Sequence, residues 1–334
     1  MPRSLLLTSL STLVFGCSLL AACSDDASTP PGQPGSEKAL PVGTSSGDPP
    51  PTPTGTGTTK PPGPPPEPEY VWVAPKVATT SAACGTAMPD AVKVTYTTPA
   101  GRKFHVWGPT GYDPTKTYPV VVVYHGWYST GDGHQTWFKM EENTQSEAFV
   151  VYPDSSGPLW DTNGATDLVF FDDMIKQLGE TYCINPSRVL AFGFSFGGIF
   201  ANHLACKRAG YVKALAVGSG NWGGDGQKCG RLPVLVTSRT DDKDEPPANG
   251  RNAASRWTAL NKCSAMTDSA VVFTEKDELN VDVDATCITQ RGCTAPGSVS
   301  FCEDKLHINW NPDYDHTVRP RFQKYVYSWF KALP

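Results

Sequence analysis

A strand-like run at residues 188–192, apolar from Val189 on, leads straight into Gly193-Phe194-Ser195-Phe196-Gly197, and a small-residue stretch, Gly198-Ile199-Phe200-Ala201-Asn202, follows. Few architectures hold that succession. A continuous apolar strand is buried on both faces, which happens inside a parallel sheet covered by helices on each side. The glycines leave the backbone room for a sharp strand-to-helix turn, and the turn lifts the serine above the end of the sheet. Its hydroxyl then lies at a helix N-terminus, where negative charge is favoured.

Other segments fit the same frame. Residues 93–96 and 103–107 read as early strands, 119–124 and 148–152 as buried β-branched strands, and 214–217, 233–237 and 299–302 as later ones. Residues 168–180 and 196–208 have helical spacing, and 321–333 reads as a closing helix carrying Phe322, Tyr325, Val326, Trp329 and Phe330. Strands alternating with helices predict an α/β fold, a mostly parallel sheet with helices on both faces.

The N-terminal part is of another kind. Residues 5–22 are apolar but broken by Thr8, Ser9, Ser11, Thr12 and Ser18, too short and too polar for a membrane span and suited to a signal peptide. The segment ends Leu20-Ala21-Ala22-Cys23, which resembles the lipobox of bacterial lipoproteins, whose cysteine receives a diacylglycerol. The expectation is an exported protein, leader at 1–23, held to a membrane through Cys23 and facing the periplasm or cell exterior. Residues 24–80 form a Pro/Gly/Thr-rich tether that lacks the apolar residues needed to fold. One folded domain occupies 81–334.

Ten cysteines are present. Cys17 and Cys23 lie in the leader, so the exported part keeps an even set, which suggests up to four disulfides of undetermined pairing. No CxxC pair supports a zinc site, and no metal or cofactor is expected. The formal net charge is −5 without a basic block, which argues against nucleic acid as a partner. A monomer is the expectation.

A nucleophilic serine needs a base and an orienting acid, in the order Ser, Asp, His for a turn of this type. The strand at 233–237 leads to Asp241 and Asp242, of which Asp242 is favoured and Asp241 is the alternative. Near the C-terminus His316 is the favoured base, directly before the closing helix, and His307 is the alternative. Two N–H donors for an oxyanion are expected from Phe196, after the serine, and from Trp127 in the His125-Gly126-Trp127 loop. His125 then shapes the loop, and His105, His134 and His203 read as surface or strand residues. A rival reading is a catalytically dead binding module, with Trp127, Tyr128, Trp137, Trp160, Trp222 and Trp310 as sugar-stacking platforms; a candidate for every catalytic role weighs against it.

These residues together resemble the esterases of carbohydrate esterase family 1 and the related poly(3-hydroxybutyrate) depolymerases. The likeness runs along most of 84–334: Cys84-Gly85, Tyr118-Pro119-Val120-Val121-Val122 before His125-Gly126, Val150-Val151-Tyr152-Pro153-Asp154, Asn185-Pro186-Ser187-Arg188-Val189 before the serine turn, and His316-Thr317-Val318. The resemblance implies an α/β-hydrolase fold. It also implies hydrolysis of feruloyl or acetyl esters on plant cell-wall polysaccharide, or of a polyester. Two departures stand out: Ser238-Arg239 replaces a frequent His-Gly ahead of the acid, and residues 308–315 separate the two histidines.

Overall fold

The computed structural model describes residues 73, 75–87, 93–224, 229–276, 280–304 and 316–334. The leader with Cys23, nearly all of the tether, His307 and Trp310 lie outside the described residues.

Ten strands form one sheet in the order β1-β2-β4-β3-β5-β6-β7-β10-β9-β8. At its centre β4 (Phe149–Pro153), β3 (Tyr118–Tyr124), β5 (Ile184–Phe194), β6 (Val212–Gly218), β7 (Pro233–Arg239) and β10 (Ser298–Asp304) run parallel. At one edge β1 (Val94–Thr97) and β2 (Lys103–Trp107) are antiparallel. The other edge is an antiparallel hairpin, β8 (Thr267–Lys276) and β9 (Asp282–Gln290).

Successive side chains of a strand point to opposite faces, and each face here has its own core. Val120, Val122, Val189 and Ala191 pack towards α3 (Thr166–Thr181), α4 (Phe196–Lys207) and α5 (Pro247–Leu260). Val121, Val123, Leu190 and Phe192 pack towards α1 (Gly131–Phe138), α2 (Met140–Thr144) and α6 (Pro320–Ala332). This is why the central strands read as unbroken apolar runs. Helix α6 begins with a proline, whose fixed φ and missing N–H suit a first turn, and it buries Phe322, Val326 and Phe330. Trp257 on α5 is fully buried, its indole N–H donating to Asn202 Oδ1 of α4 at 2.7 Å.

All eight cysteines of the domain are paired: Cys84–Cys183, Cys206–Cys229, Cys263–Cys293 and Cys287–Cys302. The first closes a sequence separation of 99 and the last one of 15. By loop-closure entropy each restricts the unfolded chain by about 3–5 kcal/mol, more for the longer loop.

Two expectations need correction. His134 and His203 are neither surface nor strand residues: they lie on α1 and α4 and are buried. His134 points into the core beneath the sheet's end, because Gly131, His134 and Phe138 form the inward stripe of a short helix whose other positions are mostly polar. The hairpin β8–β9 and helices α1, α2 and α5 are additions to the elements read from sequence. Strand β8 is exposed at most of its positions and shows no buried run.

Candidate active site

Ser195 lies between the end of β5 and the start of α4, with φ 54° and ψ −125°. Such a backbone is strained for a residue with a Cβ. The surroundings hold it there: the Ser195 N–H donates to Gly218 O at 2.9 Å, and Ser195 O accepts from Gly198 N–H at 2.8 Å. The flanking glycines permit the fold-back. A Cβ on Gly193 would lie 2.1 Å from Gly197 O, and one on Gly197 would lie 2.2 Å from Tyr124 O.

His316, just before α6, brings Nε2 within 2.8 Å of Ser195 Oγ. Its Nδ1 lies 2.9 Å from Asp242 Oδ2 and 3.0 Å from Oδ1. Asp242 follows β7 and is buried. Its Oδ1 also accepts the N–H groups of Asp244 at 3.1 Å and Glu245 at 2.8 Å, so the carboxylate is fixed from behind. Asp241 is engaged elsewhere, gripped by the Arg239 guanidinium at 3.0 and 2.8 Å. Burial by itself pulls the His316 pKa down. The Asp242 hydrogen bond and the charges of Asp242, Asp244 and Glu245 outweigh it and hold the imidazole above its ordinary value. Burial raises the Glu245 pKa, against the Asn249 hydrogen bond and the nearby imidazole.

The His125-Gly126-Trp127 loop lies directly against the serine. A Cβ on Gly126 would come within 3.2 Å of Ser195 Cβ. His125 is buried beneath the loop: Ser155 N–H donates to its Nε2 at 3.3 Å, which leaves Nδ1 to donate to Gly126 O at 2.7 Å. Trp160 Nε1–H donates to His125 O at 2.9 Å. Burial lowers the His125 pKa, so a neutral ring with one donating and one accepting nitrogen fits these contacts. The loop is therefore pinned from inside while the Trp127 side chain is 61% exposed and stacks on Tyr128. Phe196 opens α4, where the first N–H groups have no intrahelical acceptor.

A cleft of about 650 Å³ surrounds Ser195 and His316. Asp244 and Glu245, from the segment between β7 and α5, supply an acidic part of its lining. Trp127, Trp137, Phe194 and His134 supply an aromatic part. His134 is 0% exposed, and neither ring nitrogen has a hydrogen-bond partner. Phe138 and Phe194 stack against the ring at centroid distances of 4.7 and 5.8 Å, and Trp137 meets it edge-on at 4.6 Å. Burial, with a small push from His125, holds its pKa well below the usual imidazole value. Leaving such a group unpaired costs about 1–3 kcal/mol. Nothing in the sequence around residue 134 signals this environment. Among the described residues no group of three or more His, Cys, Asp or Glu side chains is arranged to hold a metal ion.

The parallel sheet, its helix-covered faces and the strand–serine–helix turn define an α/β hydrolase fold. A family described as alpha/beta hydrolase fold matches residues 119–284. The chain is 30% identical over 212 residues to the probable feruloyl esterase C of Aspergillus clavatus, covering 60% of this chain and 73% of that protein. It is 30% identical over 173 residues to the feruloyl esterase C of Emericella nidulans, covering 49% of this chain and 63% of the relative's length. An acetyl xylan esterase from Aspergillus awamori shares the fold with a TM-score of 0.53 at 17% identity, covering 72% of this chain and 98% of that one. The chain belongs to the α/β hydrolases that resemble carbohydrate esterase family 1, and by class it is a carboxylic ester hydrolase.

Proposed function

We propose that Ser195, His316 and Asp242 act as nucleophile, base and orienting acid in the hydrolysis of acyl esters carried by plant cell-wall polysaccharide. The observation that carries this reading is the unbroken contact line Ser195 Oγ–His316–Asp242, at 2.8 and 2.9 Å, opening into a cleft. His316 Nε2 takes the hydroxyl proton as Ser195 Oγ bonds to the ester carbonyl carbon. The N–H groups of Trp127 and Phe196 receive the oxyanion. The tetrahedral adduct collapses, the sugar alcohol leaves with the proton from His316, and an acyl-serine remains. Water then attacks, passes its proton to His316, and the acid departs as Ser195 recovers its hydrogen. No step calls on a cofactor. Asp242 fixes the imidazole tautomer and stabilises the imidazolium that forms.

The names of the relatives support feruloyl or acetyl groups as the acyl part. Four disulfides support an oxidising compartment, hence export. With the lipobox at Cys23 they favour a domain displayed on a membrane by its tether, suited to an insoluble polymer.

The test is hydrolysis of p-nitrophenyl acetate and methyl ferulate by the full chain and by Ser195→Ala, with fluorophosphonate labelling alongside. The expected result is turnover and labelling that both vanish in the variant. Undiminished turnover in Ser195→Ala overturns the mechanism.

A further inference from the structure

His134 occupies a place where a phenylalanine would pack as well. Phe138 and Phe194 sandwich it, Trp137 covers its edge, and no charge or hydrogen bond requires an imidazole. A buried polar group left unpaired in a folded protein calls for a role that explains its cost. His134 borders the cleft that holds Ser195. Its nitrogens are sealed from solvent, and its cover, Trp137, is 46% exposed and so has room to move outward.

The acyl group belongs at this aromatic part of the cleft. The leaving alcohol receives its proton from His316, so it departs beside that residue and the acidic lining of Asp244 and Glu245. Half-exposed Trp137 in the cleft lining offers a planar acyl ring its stacking surface instead. We infer that His134 is a specificity-determining residue: when an aromatic acyl group stacks on Trp137 and turns it outward, the imidazole exchanges a hydrogen bond with a hydroxyl on that ring. The neutral ring offers one donor and one acceptor, so it serves a phenol in either sense. Substrates without the hydroxyl leave the nitrogens unpaired, and discrimination follows from that loss. This inference rests on the esterase reading above.

The experiment compares kcat/KM for methyl p-coumarate and methyl cinnamate, which differ by the one ring hydroxyl, in the full chain and in His134→Phe and His134→Gln. The unsubstituted protein is expected to prefer the coumarate about tenfold, the worth of one well-made neutral hydrogen bond. His134→Phe brings that ratio to about one, and His134→Gln restores part of it. A merely structural role leaves the ratio in place while both rates change together, and that result overturns the inference. So does cleavage of p-nitrophenyl acetate with neither aromatic ester turned over, a result that leaves the esterase reading standing. Failure on p-nitrophenyl acetate as well, with the chain folded, removes the esterase reading itself and the inference with it.

Discussion

Two histidines border one cleft and live under opposite regimes. His316 has a partner on each nitrogen, and acidic groups behind it favour its charged form. His134 has a partner on neither, and burial among aromatic rings keeps it neutral. Both are mostly withdrawn from water, so burial alone does not decide the protonation state of an imidazole. The hydrogen bonds and charges that come with burial decide it. On the roles proposed above the contrast also separates two tasks, since a base must change its charge during the reaction, whereas a residue that only recognises must keep it.

The sharpest way to break the contrast is to take the partner from His316. Asp242→Asn is expected to lower kcat about 10⁴-fold in a chain that stays folded by circular dichroism, because the imidazole loses its orientation and tautomer. A loss under tenfold would show that another group orients the base. Next is the support behind that partner. Buried Arg319, three residues after His316, holds the carboxylate of Asp304 and reaches Glu275 at 2.8 Å, while Asp304 O accepts Thr240 N–H at 2.9 Å. Arg319→Met takes the guanidinium from buried Asp304, while Glu275 keeps Arg321 at 3.6 Å, and is expected to cost about 3–5 kcal/mol in denaturant unfolding.

The other histidine should respond in the opposite sense. His134→Phe removes an unpaired polar group without opening a cavity and is expected to raise stability by about 1 kcal/mol. Its pH signature sharpens the contrast. Below about pH 6.5 the unfolded chain takes up a proton that buried His134 refuses, so stability is lost as pH falls through the depressed folded value. Thermal scans of the phenylalanine variant should fall less steeply on acidification. His316, with its raised value, contributes stability that is present below the unfolded value and lost as pH rises through the folded one. The smallest effect concerns Glu245. Its charge helps raise His316, and the base must be neutral to act, so the acidic limb of the kcat/KM profile lies above the ordinary imidazole value. Glu245→Gln should move that limb downward, and an unmoved limb would remove Glu245 from the account.

What could be read from sequence divides along physical lines. The central strands were legible because a strand covered on both faces must be apolar at every position, as Val120 to Val123 are. The serine turn was legible because its glycines meet backbone oxygens, a local demand that leaves a local mark. The hairpin β8–β9 left no such mark, since solvent accepts most side chains on an exposed edge. Disulfide pairing was illegible for another reason: Cys84 and Cys183 meet only once the sheet has formed. The environment of His134 is likewise made by Phe194, 60 residues away in the chain, and no short window contains it.

The described chain reaches the domain at its far pole from the cleft. Pro75 packs against Gly210, just ahead of β6, whereas Ser195 stands past the opposite end of the neighbouring β5. A few residues on, Ser81 hydrogen-bonds to Ile184 and Cys84 is bonded to Cys183 at the root of β5. A pull applied at Ser81 would pass through the Cys84–Cys183 bond into β5, a central strand, and not through β1 at the sheet edge. Its load path would end before the serine turn.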